Sequence, residues 1–106
     1  SVTAPSGFQS AAAGVAVAVG TTVFELTGVT TGGTAANLVT ALAATATDGN
    51  IDAADKLLFV NYLTAGGAQI WEFVDADGAN VADTELTLVA TLNGVAADGL
   101  ATGDFI

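Results

Sequence analysis

The second half of the chain has the clearest pattern of apolar positions. Residues 56–64 and 68–74 are rich in β-branched and aromatic side chains, and a Gly-Gly pair lies between them. Two such runs around a glycine turn predict a β-hairpin. In the second run, Trp71 and Phe73 should face the opposite side of the sheet from Ile70, because side chains alternate along a strand.

Three other segments also predict strands. Residues 11–20 contain valines that alternate with alanines, and residues 21–27 continue in the same style up to Gly28. Residues 85–92 alternate as well, so the sequence predicts one apolar side for that strand. The members of that side would be Leu86, Leu88, Ala90 and Leu92.

One segment predicts a helix, at about residues 34–46. Thr34 is a suitable N-cap, and Leu38 and Leu42 are four residues apart on one side of the segment. The sequence therefore predicts a mainly β fold, a single β-sandwich-like domain with one short helix. A sheet covered by that helix is the alternative arrangement. Residues 1–106 suit one domain.

The start of the chain predicts a flexible lead at residues 1–10, which hold the only proline. Residues 11–20 follow with no charge and only small side chains. A strand of this composition is prone to pair with other chains when it lies at a sheet edge. Two interpretations stay open for residues 11–20: the first strand of the domain's own sheet, or a strand donated to a neighbouring subunit.

The charged residues of the chain are almost all acidic, and this limits its partners. Eleven acidic residues and one basic residue, Lys56, give a net charge of -10. A chain with one cation cannot neutralise phosphates, so we expect no nucleic acid partner. We also expect no membrane insertion, because no apolar run approaches the roughly 20 residues that a spanning helix needs. Cations suit this chain, and calcium is the candidate cofactor.

Two acidic segments are the candidate calcium ligands. The first has Asp48, Asn50 and Asp52 at the alternate spacing that begins an EF-hand loop, but Ala53 and Phe59 replace the glycine and glutamate that such a loop needs. The second segment holds more oxygen side chains around Gly78. Its candidate ligands are Asp75, Asp77, Asn80, Asp83 and Glu85. The alternative for both segments is an ordinary solvated turn.

The sequence predicts no enzyme. It has no cysteine and no histidine, and its serines all lie within residues 1–10, so the usual nucleophilic constellations are missing. Aromatic side chains cluster on the predicted hairpin, where a sugar-binding platform and core packing are the two interpretations. Those side chains are Phe59, Tyr62, Trp71 and Phe73.

The second half of the chain resembles the carboxy-terminal regions of bacterial proteins exported by type I secretion, including repeats-in-toxin and surface-layer-like proteins. The resemblance covers roughly residues 48–106 and is carried by short segments. These are KLLFV at 56–60, AQIWEF at 68–73, DADG at 75–78, DTELTLVATLNGV at 83–95 and GDFI at 103–106. The glycine-rich calcium-binding nonapeptide repeats are absent. The resemblance implies an extracellular location and calcium association through Asp75, Asp77 and Asp83.

These observations favour an extracellular structural subunit that forms a homo-polymer, such as a surface layer, matrix fibre or filament, with calcium as a stabilising ion. The low share of charged residues and the small side chains are typical of surfaces that other subunits cover. Two alternatives remain. One is a carboxy-terminal secretion-targeting domain, and the other is a carbohydrate-binding adhesin module.

Overall fold

The fold is a five-stranded mixed sheet with one short helix, as seen in a computed structural model that describes residues 8–12, 21–42, 56–74, 82–96 and 98–99. The elements are β1 (Phe8–Ala12), β2 (Val23–Thr27), α1 (Ala35–Leu42), β3 (Lys56–Tyr62), β4 (Ala68–Val74), a 3-10 turn (Asp83–Glu85) and β5 (Leu86–Leu92). The strands lie in chain order across the sheet. The prediction of a mainly β fold with one short helix is confirmed.

The sheet combines two kinds of strand pairing. β1, β2 and β3 are parallel neighbours, whereas β3, β4 and β5 pair antiparallel. The predicted hairpin is confirmed, since β3 and β4 pair along their full length from Lys56 opposite Val74 to Tyr62 opposite Ala68. The parallel pairing was not predicted. β2 and β3 are parallel neighbours in the sheet, and α1 lies between them in the sequence, so the three elements form a β-α-β unit.

The start of α1 follows from its first residues. The Oγ1 atom of Thr34 accepts a hydrogen bond from the backbone N–H of Asn37 at 3.1 Å, and Asn37 Oδ1 accepts one from the N–H of Thr34 at 3.2 Å. This reciprocal pair satisfies two donors at the helix start. Leu38 and Leu42 are both fully buried. The predicted cap and apolar side of the helix are confirmed; residues 43–46 of the predicted helix lie outside the described residues.

Both faces of the sheet hold fully buried side chains. One face packs against α1 and holds the aromatic core, in which the Phe59 ring lies 5.8 Å from Phe24 and 5.7 Å from Phe73 between centroids. The other face has its own apolar cluster, with Val60 and Tyr62 fully buried. Burial on both faces is typical of strands in the parallel part of a sheet.

The predicted one-sided pattern of β5 is wrong, and a β-bulge explains it. Trp71 pairs with Leu88 and Ile70 pairs with Ala90, so Val89 has no residue opposite it in β4. An extra residue reverses the faces of all side chains beyond it. Leu86 consequently packs into the α1 side of the core, while Leu92 packs against the cluster on the other face.

The strand at the start of the chain begins earlier than the sequence indicated. β1 covers Phe8–Ala12, so the last three residues of the predicted flexible lead form part of a strand. The side chain of Phe8 packs against the apolar cluster on the face away from α1, which accounts for this boundary. Ala11 and Ala12 pair with β2 of the same chain. The rest of the 11–20 segment lies outside the described residues.

Candidate functional site

Most of the predicted calcium ligands lie outside the described residues. These are Asp48, Asn50, Asp52, Asp75, Asp77 and Asn80. Of the two that remain, Asp83 begins the 3-10 turn before β5, and Glu85 ends it. Within the described ranges, no group of three or more metal-ligating side chains occurs. The structure therefore brings together no calcium site from the predicted residues that it describes.

Glu85 has a structural role at the start of β5. Its Oε1 atom accepts a hydrogen bond from the backbone N–H of Ala82 at 2.9 Å, and the N–H of Glu85 donates to the carbonyl of Ala82 at 3.0 Å. These two bonds close the 3-10 turn that leads into the strand. Glu85, one of the five candidate calcium ligands of the second acidic segment, thus stabilises the backbone turn before β5.

The four aromatic side chains of the hairpin are buried. Phe59, Tyr62 and Phe73 are fully enclosed, and Trp71 is 6% exposed. The indole N–H of Trp71 donates to Oε1 of Gln69 at 3.3 Å. These side chains belong to the core, and they form no exposed platform for a sugar ring.

A buried acidic group was not predicted as a feature. Glu25 lies in the middle of β2, is 3% exposed, and faces away from α1. Its Oε1 accepts a hydrogen bond from the hydroxyl of Ser10 at 2.7 Å, and its Oε2 accepts one from the hydroxyl of Tyr62. Charged residues are seldom buried unless they are paired or hydrogen-bonded. The glutamate inside the apolar run VFELT was the signal that could have identified this group.

A second polar cluster lies on the α1 side of the sheet. Asn61 Nδ2 donates to Thr31 Oγ1 at 2.6 Å and to Gln69 Oε1 at 3.2 Å, and Gln69 Nε2 donates to the carbonyl of Gly33 at 3.1 Å. Asn61, Gln69 and Thr31 are all buried. Asn61 Oδ1 is buried without a hydrogen-bond partner. The cluster fixes the segment before α1 against the ends of β3 and β4.

An open depression of about 500 Å³ lies beside this cluster, between Gly33 and the turn that follows β3. Its walls are formed by glycine, threonine, leucine and alanine together with Gln69, whose amide already bridges the two sides. No titratable side chain lines it within the described residues. The described lining of the depression therefore offers polar and apolar contacts and no group for acid-base chemistry.

The edge strand β5 is the most unusual exposed feature. It carries no charged residue and no proline, and β4 is its only partner among the described strands. Leu88 is 44% exposed and Val89 is 58% exposed. Natural proteins usually protect an edge of this kind with charged side chains, proline, bulges or a covering segment. Of these devices, only the bulge at Val89 occurs within β5 itself.

Comparison with family models, with curated proteins and with solved structures gives no match. The described helix is too short to span a membrane. The functional assignment therefore depends on the residues of this chain and on their arrangement.

Proposed function

We propose that this protein is an extracellular structural subunit that self-associates through an edge of its sheet, in a surface layer, matrix fibre or filament. The observation that carries this proposal is the uncharged edge strand β5 with its exposed Leu88 and Val89. The proposed function is not catalytic, and the partner is a second copy of the chain.

Charge supports this choice of partner. The chain has a net charge of -10, yet the seven residues of β5 include none of the eleven acidic residues. Two copies repel one another least where their acidic groups are absent, so a neutral edge is the surface at which they can approach. A partner recruited by charge would be basic, and it would bind at the acidic residues instead.

The bulge determines what kind of contact the edge can make. Because Val89 is an extra residue, the strand bends there and its two halves present opposite faces. A long straight ladder of backbone hydrogen bonds does not fit such an edge. The apolar side chains of Leu88 and Val89, which no described residue covers well, would supply the attraction between copies.

We also propose that a second layer of chain covers part of the sheet on the face away from α1. Val60 and Tyr62 are fully buried on the face away from α1. Burial of these two side chains supports a second layer of chain over this part of the sheet, as in the sandwich-like domain that the sequence predicts.

We further propose export and calcium binding. The resemblance of residues 48–106 to type I-secreted bacterial proteins supports an extracellular location. The surplus of carboxyl groups supports calcium as the stabilising ion. The ligands would come from the two acidic segments, namely Asp48, Asn50, Asp52, Asp75, Asp77, Asn80, Asp83 and Glu85.

Electron microscopy of the purified chain, first with calcium and then with a chelator, tests this function. We expect filaments or sheets with calcium, and their loss on chelation would assign the acidic segments to assembly. The edge itself is tested by Val89→Lys, which places a charge on β5 and should abolish assembly.

Val29→Lys is the matched control, because Val29 is also exposed, at 38%, but lies outside the strands. This variant should assemble as the wild type does. If the wild type stays monomeric under all conditions, the assembly function is wrong and the secretion-targeting alternative becomes the better account. If Val89→Lys assembles normally, β5 is not the contact.

A further inference from the structure

The turn that follows β5 contains the only Asn-Gly pair in the sequence. β5 ends at Leu92, and Asn93 and Gly94 form the turn directly after it. The other four asparagines, at positions 37, 50, 61 and 80, are each followed by a residue with a large side chain. Glycine has no side chain, so its backbone nitrogen can attack the amide of a preceding asparagine with the least steric hindrance.

The structure leaves this turn open to solvent. Asn93 and Gly94 are both exposed, and a Cβ placed on Gly94 would meet no atom within 4 Å. The other described asparagines are constrained. Asn37 lies in α1 and its amide oxygen accepts the N–H of Thr34, whereas Asn61 is 1% exposed. Among the described asparagines, Asn93 alone combines an exposed amide with an unhindered neighbour.

The two ends of the turn are held in place. Before the turn, Leu92 pairs with Ala68 of β4. After it, the carbonyl of Val95 accepts a hydrogen bond from the N–H of Gly67 at 3.1 Å. A chemical change within the turn is therefore presented at a fixed place, beside the end of β5.

We propose that Asn93 is a site of spontaneous deamidation, and that its conversion to aspartate or isoaspartate weakens the contact between copies at β5. The modification itself needs only the turn and water. Its effect on assembly rests on the proposed function, because it acts on the edge strand that would join the copies.

The reaction balances with water as the only co-reactant. The backbone nitrogen of Gly94 loses its proton to a base in solution and attacks Cγ of Asn93. The new N–Cγ bond forms while the Cγ–Nδ2 bond breaks, and ammonia leaves from a five-membered succinimide. Water then opens the ring at either carbonyl, which gives aspartate or isoaspartate. No group is oxidised or reduced, and both products carry one negative charge that asparagine lacks.

The new charge would lie within reach of the proposed contact. Asn93 is four residues beyond Val89, which is about 14 Å along an extended chain. The seven residues of β5 carry no charge, whereas the chain as a whole carries -10. The Debye length is about 30 Å at 0.01 M salt and about 10 Å at 0.1 M. Repulsion from the new carboxylate therefore covers the contact at low salt and is largely screened at higher salt.

Mass spectrometry of proteolytic peptides tests the modification. The full chain is incubated at mildly alkaline pH, and the mass gain that replaces an amide with an acid is followed at each asparagine. We expect Asn93 to convert several-fold faster than the other four. Asn93→Gln is the matched control, because glutamine keeps the amide but must close a larger ring, so this variant should gain no mass at position 93. Conversion of Asn93 no faster than the others would overturn the site.

The variant Asn93→Asp tests the effect on assembly. Asp-Gly suits a tight turn as Asn-Gly does, so the substitution adds charge and keeps the turn. We expect the protein concentration at which light scattering begins to rise several-fold at about 0.01 M salt, and to rise less at about 0.1 M. Asn93→Gln, which stays neutral, should assemble as the wild type does.

The outcomes separate this inference from the proposed function. Normal assembly of Asn93→Asp at low salt would overturn the effect on the contact and leave the assembly function intact. A wild type that does not assemble would overturn both the assembly function and its regulation, while the peptide masses still decide whether Asn93 is modified. Equal losses for Asn93→Asp and Asn93→Gln would also overturn the regulation, because the added charge would not be the cause.

Discussion

At the scale of single residues, the turn between β3 and β4 depends on two glycines. Gly66 has a φ of 99° and Gly67 a φ of 93°, which side chains rarely allow. They differ in their surroundings. A Cβ at Gly66 would meet no atom within 4 Å, whereas a Cβ at Gly67 would lie 2.7 Å from the carbonyl oxygen of Leu92.

We therefore expect unequal costs from the two alanine substitutions. Gly66→Ala should lower the free energy of unfolding by about 1–2 kcal/mol, because only the backbone is strained. Gly67→Ala should lower it by about 1–3 kcal/mol more, because the new methyl group must displace β5. Urea unfolding followed by tryptophan fluorescence measures both. Equal values for the two variants would contradict the close approach of Leu92.

The buried carboxyl group of Glu25 leads to a second prediction at this scale. Tyr62→Phe removes the hydroxyl that donates to Oε2 of Glu25 while it retains the buried ring. An acidic side chain that is 3% exposed cannot readily replace that donor with water. We expect the free energy of unfolding to fall by about 1–3 kcal/mol.

Ser10→Ala is the comparison for this substitution. Ser10 is exposed, so water can replace its hydroxyl beside Glu25, and the loss should be smaller than for Tyr62→Phe. Both variants are measured by urea unfolding at the same pH. A larger loss for Ser10→Ala would mean that the β1 contact, and not the buried tyrosine, satisfies this carboxyl group.

At the scale of elements, the sequence correctly predicted the features that depend on residues close together in the chain. The Gly-Gly turn between two aromatic-rich runs correctly predicted the β3–β4 hairpin, and Thr34 correctly predicted the start of α1. Each of these features is determined by residues a few positions apart.

The features that the sequence did not reveal involve residues far apart in the chain. The parallel pairing of β2 with β3 joins strands that are separated by α1, and no local pattern specifies such a neighbour. The bulge at Val89 is a property of β4 and β5 together, because it depends on the register of both strands. Glu25 could be recognised as an acid in an apolar run, but its hydroxyl partners come from two other strands.

The cap of α1 gives a prediction at the element scale. Thr34→Ala removes the Oγ1 that accepts the N–H of Asn37, so the free energy of unfolding should fall by about 1 kcal/mol. Thr40→Ala is the matched control, because Thr40 is an exposed residue within α1 and alanine is the better helix former there. That control should be neutral or slightly stabilising. A neutral Thr34→Ala would show that packing of Leu38 and Leu42 alone determines the helix.

At the scale of the whole molecule, two properties oppose each other. The net charge of -10 drives copies apart, whereas β5, an edge strand of the described sheet, carries no charge and is the proposed contact between copies. The balance between repulsion and contact therefore depends on screening. Repulsion between copies acts over about 30 Å at 0.01 M salt and over only about 10 Å at 0.1 M.

This balance predicts that salt promotes assembly. Raising sodium chloride from about 0.01 M to about 0.1 M should lower the protein concentration at which assembly begins, because the Debye length falls about threefold. Calcium chloride at the same ionic strength should lower that concentration further, since a bound divalent cation neutralises carboxyl groups instead of only screening them. Light scattering across a protein dilution series measures the onset. Magnesium chloride at equal ionic strength is the control, because magnesium gives up its water reluctantly. If assembly begins at the same protein concentration in both sodium chloride solutions, the net charge does not limit assembly. If it begins at the same protein concentration with calcium as with magnesium, the acidic segments do not take part in the contact.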